Sequence, residues 1–94
     1  MMPNHTYDVV VIGGGPGGLA AAIAAKRAGA EEVLIIERAV EMGGILLQCI
    51  HHGFGVEIFG EDLPGPTYAQ RFVRQALDMG VEVLLDTLVL AVWP

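Results

Sequence analysis

Apolar residues fall in runs along this chain, separated by clusters of glycine and proline. Tyr7-Asp8-Val9-Val10-Val11-Ile12 is β-branched and almost continuously apolar, which predicts a strand over residues 7–12 covered on both faces, as in a parallel sheet. Pro16 to about Ala28 predicts a helix: Pro is tolerated in a first helical turn, the alanines keep the helix thin, and Gly29 stops it. Lys26 and Arg27 stand in its last turn, where they complement the helix dipole. Glu32 to Glu37 repeats the buried-strand pattern. Strand, helix and strand within about thirty residues form one βαβ unit.

The stretch from Arg38 to Pro66 breaks the pattern with Gly43-Gly44, Gly53, Gly55, Gly60, Pro64 and Gly65. It reads as mostly loop, with a short helix near Ile45–Cys49, and a loop of that length in a compact domain is usually functional. Helical periodicity returns over Thr67–Met79. Tyr68, Phe72, Ala76 and Met79, flanked by Ala69, Val73 and Leu77, make an apolar stripe opposite Gln70, Arg71, Arg74, Gln75 and Asp78. Gly80 ends that helix. Val81–Leu85 reads as a third strand and Thr87–Val92 as a fourth. The expected fold is α/β: an incomplete Rossmann-like βαβ arrangement of parallel strands with flanking helices. The 94 residues suffice for one small domain.

Composition narrows the classes of partner. The chain is 53% hydrophobic and 17% charged, with a net charge of −6. Its cations (Lys26, Arg27, Arg38, Arg71, Arg74) are scattered and offer nucleic acid no basic track. Val9–Ala25 is uncharged for seventeen residues, but five glycines and a proline crowd its first half. It also falls short of the ~20 residues a membrane span needs. The first residues carry neither a basic start nor an apolar core, so no signal peptide is read. Cys49 is the single cysteine, compatible with a reducing, cytoplasmic setting.

The candidate chemistry lies where the first strand meets the first helix. Gly13-Gly14-Gly15-Pro16-Gly17-Gly18 has the spacing Gly13-x-Gly15-x-x-Gly18, and Glu37 closes the next apolar run nineteen residues on. Gly13 permits the tight turn, Gly15 leaves room for backbone N–H groups to approach a pyrophosphate, and Gly18 lets helix and strand lie close. The open N–H groups and partial positive charge of the helix N-terminus face the phosphates. Glu37 is placed to accept from ribose hydroxyls and would repel a 2′-phosphate, so the adenosine half is FAD-like or NAD-like. A P-loop is excluded, because no Lys-Ser/Thr pair follows the glycines.

Asp8-Val-Val-Val-Ile-Gly-Gly-Gly-Pro-Gly-Gly-Leu-Ala-Ala-Ala, then Val33-Leu-Ile-Ile-Glu-Arg, then Gly43-Gly44, resembles the N-terminal part of the FAD-dependent pyridine nucleotide-disulfide oxidoreductases and their relatives. Gly65-Pro66-Thr-Tyr-Ala-Gln with Gln75-Ala76 and Gly80 is similar to the matching helix of the thioredoxin reductase branch. Gly43 to Gly55 resembles a subgroup lacking the redox dithiol, associated with glycerol-3-phosphate or opine-type dehydrogenase systems. The resemblance implies FAD as the bound dinucleotide, with NAD(P)H serving the full-length protein. It places Gly13, Gly15, Pro16, Gly17 and Gly18 at the pyrophosphate, Glu37 at the adenosine ribose and Arg38 near the adenine. Gly43, Gly44 and Ile45 would approach the FAD from the following loop.

The disulfide reductases carry two cysteines after that Gly-Gly pair. Here Cys49 stands alone, so dithiol chemistry is not expected. Cys49 reads first as a small buried hydrophobe, and His51 and His52 as loop residues for which a place near the flavin is favoured over a metal. The resemblance implies an oxidoreductase whose FAD-binding part occupies residues 1–94 as the N-terminal portion of a longer enzyme. The alternative is a non-catalytic nucleotide-binding module, or a subunit of a multi-component dehydrogenase, partnered by a dehydrogenase subunit or a second copy.

Overall fold

The computed structural model describes residues 5–44 and 65–93. Along the chain it runs β1 (Val9–Ile12), α1 (Pro16–Arg27), β2 (Val33–Ile36), α2 (Gly65–Asp78) and β3 (Glu82–Leu84). The strands form one parallel sheet in the order β1-β2-β3. Val9 stands opposite Val33 and Ile12 opposite Ile36, while Leu34 to Ile36 register with Glu82 to Leu84. Each strand is shorter than its apolar run. The residues just outside carry side chains that bind backbone instead: the Asp8 carboxylate accepts the N–H groups of Glu31 and Glu32 at 3.0 and 2.9 Å, fixing the entrance to β2 beside that of β1. Those two bonds hold the Asp8 carboxyl below its ordinary value.

Both helices pack on one face of the sheet. Leu19, Ala22 and Ile23 of α1 and Ala76 of α2 share a buried cluster with Val33 and Ile35, onto which Val9, Val11, Phe72, Val73 and Val83 also pack. Ala22 and Ala76 are wholly buried. Small residues at such positions bring helix backbones close to a sheet. The stripe expected on α2 is confirmed at Ala69, Phe72, Val73, Ala76 and Met79, whereas Leu77 is half exposed. Tyr68 and Phe72 meet edge to face at 5.0 Å.

The two helices end alike. Gly29 N–H donates to the Lys26 carbonyl and Ala30 N–H to the Ala25 carbonyl; Gly80 and Val81 repeat the pair on Leu77 and Ala76. This is the Schellman arrangement, and its left-handed residue is Gly29 (φ 104°) in one and Gly80 (φ 87°) in the other. Each stop returns the chain to the sheet, at β2 and β3 respectively.

One expected element is absent among the described residues. Residues 87–92 do not form a strand. Asp86 takes φ 51°, and Asp86 and Thr87 donate to the carbonyls of Ala39 and Glu37, so the chain crosses the ends of the strands rather than continuing a ladder. An apolar run supplies a strand's pattern but not the neighbour its N–H and C=O groups need. Leu88, Leu90, Val92 and Trp93 stand exposed, as do Val10 and Ile12 on the sheet face away from the helices. The helix expected at Ile45–Cys49 lies outside the described residues.

The tightest packing constraint is at Gly18, where an added Cβ would stand 1.8 Å from the Gly13 carbonyl oxygen and 3.2 Å from Val11 Cγ1. Gly18→Ala is therefore expected to push α1 off β1 and to lower stability by about 1–3 kcal/mol, as overpacking does. Gly17→Ala, with no described residue within 4 Å of its added carbon, is expected to be neutral or to gain up to about 1 kcal/mol in the ligand-free protein. Thermal unfolding of the two variants checks both, and equal midpoints would remove the close-approach argument.

Candidate functional site: the glycine turn and Glu37

The site lies beyond the C-terminal ends of the strands, where ligands bind in open α/β sheets. Gly13 leaves β1 with φ 107° and donates its N–H to the Ile36 carbonyl at 2.8 Å, so the first residue of the turn is still tied to the last residue of β2. Gly15 is the N-cap of α1, in ordinary extended geometry (φ −77°, ψ −173°), and Pro16 opens the helix. Glycine offers no side-chain oxygen, so no side-chain capping bond is made, and the first turn holds no acid. The N–H groups of that turn and the positive end of the dipole are left without a side-chain partner.

Gly15 is informative because the fold makes no demand for glycine there. Its φ is accessible to any residue, and among the described residues an added Cβ would meet only Gly44 Cα, at an ordinary 3.9 Å. Gly18 is explained by packing and Gly13 by its conformation, whereas neither explains Gly15 or Gly17 among the described residues.

Glu37 follows β2 directly. One carboxylate oxygen accepts the Gly14 N–H at 2.7 Å and the other the Ala39 N–H at 2.7 Å. These bonds, Ala39 first and then Gly14, hold the carboxyl below the usual carboxylate range against an opposing contribution from burial. A carboxylate has about four lone-pair sites, so two further donors can still be accepted. The Glu37 backbone is pinned as well, donating to the Leu84 carbonyl and accepting from Thr87.

A cleft of about 280 Å³ opens between the turn and Glu37, lined by Ile12, Gly13, Ile36, Glu37, Arg38 and the segment Thr87–Val89. Arg38 is exposed at its rim. Two larger hollows, of about 610 and 590 Å³, run along α2, and the glycine turn lines neither. The Gly43-Gly44 pair does meet the turn. Gly43 N–H donates to the Gly14 carbonyl at 2.8 Å, and a Cβ on Gly44 would come within 3.0 Å of Gly15 Cα. Gly13, Gly15, Pro16, Gly17, Gly18, Glu37, Arg38, Gly43 and Gly44 are thus gathered around one turn. Ile45, Cys49, His51 and His52 lie outside the described residues.

Sequence reasoning missed three participants. Gly14 is buried and bonded to both Glu37 and Gly43, although it occupies a free position of the glycine spacing. Met42 packs against it. Thr87–Val89 reaches the cleft because β3 lies beside β2, so the chain leaving β3 emerges next to Glu37. Only the strand order carries that information. Among the described residues no group of His, Cys, Asp and Glu is arranged to hold a metal, and no helix is long and apolar enough to cross a membrane.

Parallel strands, crossover helices and a glycine turn at a helix N-terminus define a Rossmann-like dinucleotide-binding domain. The chain belongs to the FAD dependent oxidoreductase family, whose model matches residues 8–54. It is 36% identical over 86 residues to thioredoxin reductase of Ureaplasma parvum, covering 90% of this chain and 26% of that protein. It is 35% identical over 83 residues to dihydrolipoyl dehydrogenase of Acholeplasma laidlawii, covering 83% of this chain and 21% of that one. Lactococcus lactis thioredoxin reductase, a solved structure, superposes with a TM-score of 0.70 at 30% identity over 85% of this chain and 25% of its own. The chain thus spans about a quarter of the length of these relatives.

Because the folded-state pKa of Glu37 is depressed, its stabilising effect is fully present above the ordinary carboxylate value and is lost as pH falls through the depressed one. The stability difference between wild type and Glu37→Gln is expected to be largest near neutrality and to shrink on acidification. Asp8 titrates in both proteins and cancels. Melting temperatures of the pair across the acid range check this; a difference independent of pH would show that the Glu37 charge is not what the two N–H groups hold.

Proposed function

We propose that this domain holds FAD, with the pyrophosphate at the N-terminus of α1 over Gly13, Gly15, Pro16, Gly17 and Gly18, and the adenosine ribose at Glu37. The observation that carries the reading is the space at Gly15, a glycine that neither packing among the described residues nor backbone conformation requires. It stands in front of N–H groups with no side-chain cap, an arrangement that suits a diphosphate. Glu37 keeps acceptor capacity beside the cleft, and a negative charge there favours a free ribose over a phosphorylated one. Arg38 and Thr87–Val89 form the walls on the adenine side. Gly43 and Gly44 close the turn from the far side, and Ile45 would follow them toward the cofactor.

When bound, FAD supplies two-electron transfer, and relatives named thioredoxin reductase and dihydrolipoyl dehydrogenase favour NAD(P)H as the nicotinamide partner of the full-length protein. The residues described here would bind and orient the cofactor, leaving the substrate to other parts of the protein. A single cysteine in these 94 residues places no redox dithiol within them.

The binding test exploits the empty space. Gly15→Ala is expected to leave the melting temperature of the ligand-free protein unchanged and to weaken FAD retention strongly, because the added carbon occupies the pyrophosphate approach. Glu37→Ala is expected to weaken FAD by about 1.5–3 kcal/mol, as hydrogen bonds to a charged group do. Titration of apoprotein with FAD, followed by flavin fluorescence, measures both. Full affinity in Gly15→Ala would defeat the assignment of the pyrophosphate to this turn.

A further inference from the structure

Gly14 is held on three sides. Its N–H donates to Glu37 at 2.7 Å, its carbonyl accepts the Gly43 N–H at 2.8 Å, and an added Cβ would stand 2.9 Å from Met42 Cγ. The residues around it are committed as well. Gly13 N–H is bound to the Ile36 carbonyl, and the Gly15 carbonyl takes the first helical bond, from Leu19 N–H at 2.9 Å. Gly14 therefore sits between the last sheet bond of β1 and the first helical bond of α1. Its placement sets where the open N–H groups of α1 stand.

The carboxylate that holds Gly14 is itself fixed. The second oxygen of Glu37 accepts the Ala39 N–H at 2.7 Å, which stops the side chain from turning away from the turn. A glutamate that only met ribose hydroxyls would need neither bond. Charge-assisted bonds of this kind are roughly twice as strong as neutral ones. Without Glu37, the N–H of a buried glycine loses its acceptor, a loss that favours a shift of the segment between β1 and α1 and, with it, of the helix N-terminus.

We propose that Glu37 is a positioning residue for the phosphate cradle, acting through Gly14, in addition to meeting the ribose. This rests on the reading that the turn holds the pyrophosphate of a dinucleotide. It separates two contributions of one side chain: a contact made to the ligand, and a geometry imposed on the backbone that binds a different part of the ligand.

The two are told apart by a ligand that cannot make the ribose contact. Wild-type apoprotein, Glu37→Ala and Glu37→Gln, each as the full chain, are titrated with FAD and with an FAD analogue whose adenosine ribose is 2′,3′-dideoxy. Positioning through Gly14 requires Glu37→Ala to weaken the dideoxy analogue by about tenfold or more, although no ribose hydroxyl is there to lose. Glu37→Gln keeps one carbonyl oxygen for Gly14 and gives up the charge, so it is expected to fall between the two. Should Glu37→Ala fail to fold, as judged by circular dichroism, the Glu37→Gln comparison decides: a measurable loss of affinity for the dideoxy analogue supports the positioning role, and unchanged affinity overturns it. Unchanged affinity for the dideoxy analogue in the folded variant, with or without loss of FAD affinity, overturns the positioning role and leaves the FAD reading standing. Failure of the wild type to bind either ligand overturns the FAD reading itself.

Discussion

At Gly18 the first turn of α1 lies so close to the end of β1 that no side-chain carbon fits between helix and strand. An added Cβ would overlap the Gly13 carbonyl oxygen. Much of the architecture depends on this contact. It keeps the connection from strand to helix to three residues, Gly13–Gly15, and so holds the N-terminus of α1 at the C-terminal edge of the sheet rather than out over solvent. It also lets Leu19, Ala22 and Ile23 reach the apolar side chains of β1 and β2 in the shared core. With α1 so placed, α2 can pack beside it through Ala76, and β3 can take its position next to β2.

The electrostatics of the site arise from the same geometry. Parallel strands end together, so the turn after β1 and the acid after β2 emerge side by side. One offers donors with no side-chain cap; the other is a carboxylate with acceptor capacity beyond the two bonds it makes to backbone. A dinucleotide presents the complementary pair, an anionic diphosphate and a ribose with donor hydroxyls. That match links the domain's shape to the FAD dependent family to which the chain belongs. The glycines divide into those the polypeptide needs for itself, Gly13 and Gly18, and those that neither conformation nor packing among the described residues requires, Gly15 and Gly17.

The apolar surface is distributed unequally. The sheet face under α1 and α2 is covered, whereas the opposite face leaves Val10 and Ile12 exposed, and the segment after β3 exposes Leu88, Leu90, Val92 and Trp93. Leu34 of the central strand β2, which alternation puts on the same face as Val10 and Ile12, is nonetheless buried.

Several features can be read along the chain. Continuous β-branched runs specify parallel strands, Pro16 and the glycines at 29 and 80 mark helix limits, and the glycine spacing with an acid after the next strand marks two groups that the fold brings to one cleft. These features were legible because each is local: a residue's own conformational limits, or a periodicity within a few turns. What was not legible depends on neighbours remote in sequence. Residues 87–92 carry an apolar run like a strand's, yet Asp86 turns the chain and no ladder partner follows among the described residues. Thr87–Val89 lines the cleft because β3 sits beside β2, an order that no single run encodes. Glu37 looked like a group for the ligand alone; the tertiary structure turns half of its bonding capacity inward, to Gly14 and Ala39. A carboxylate meets whichever donors the fold brings nearest, and the strand register and the close approach at Gly18 decide which those are.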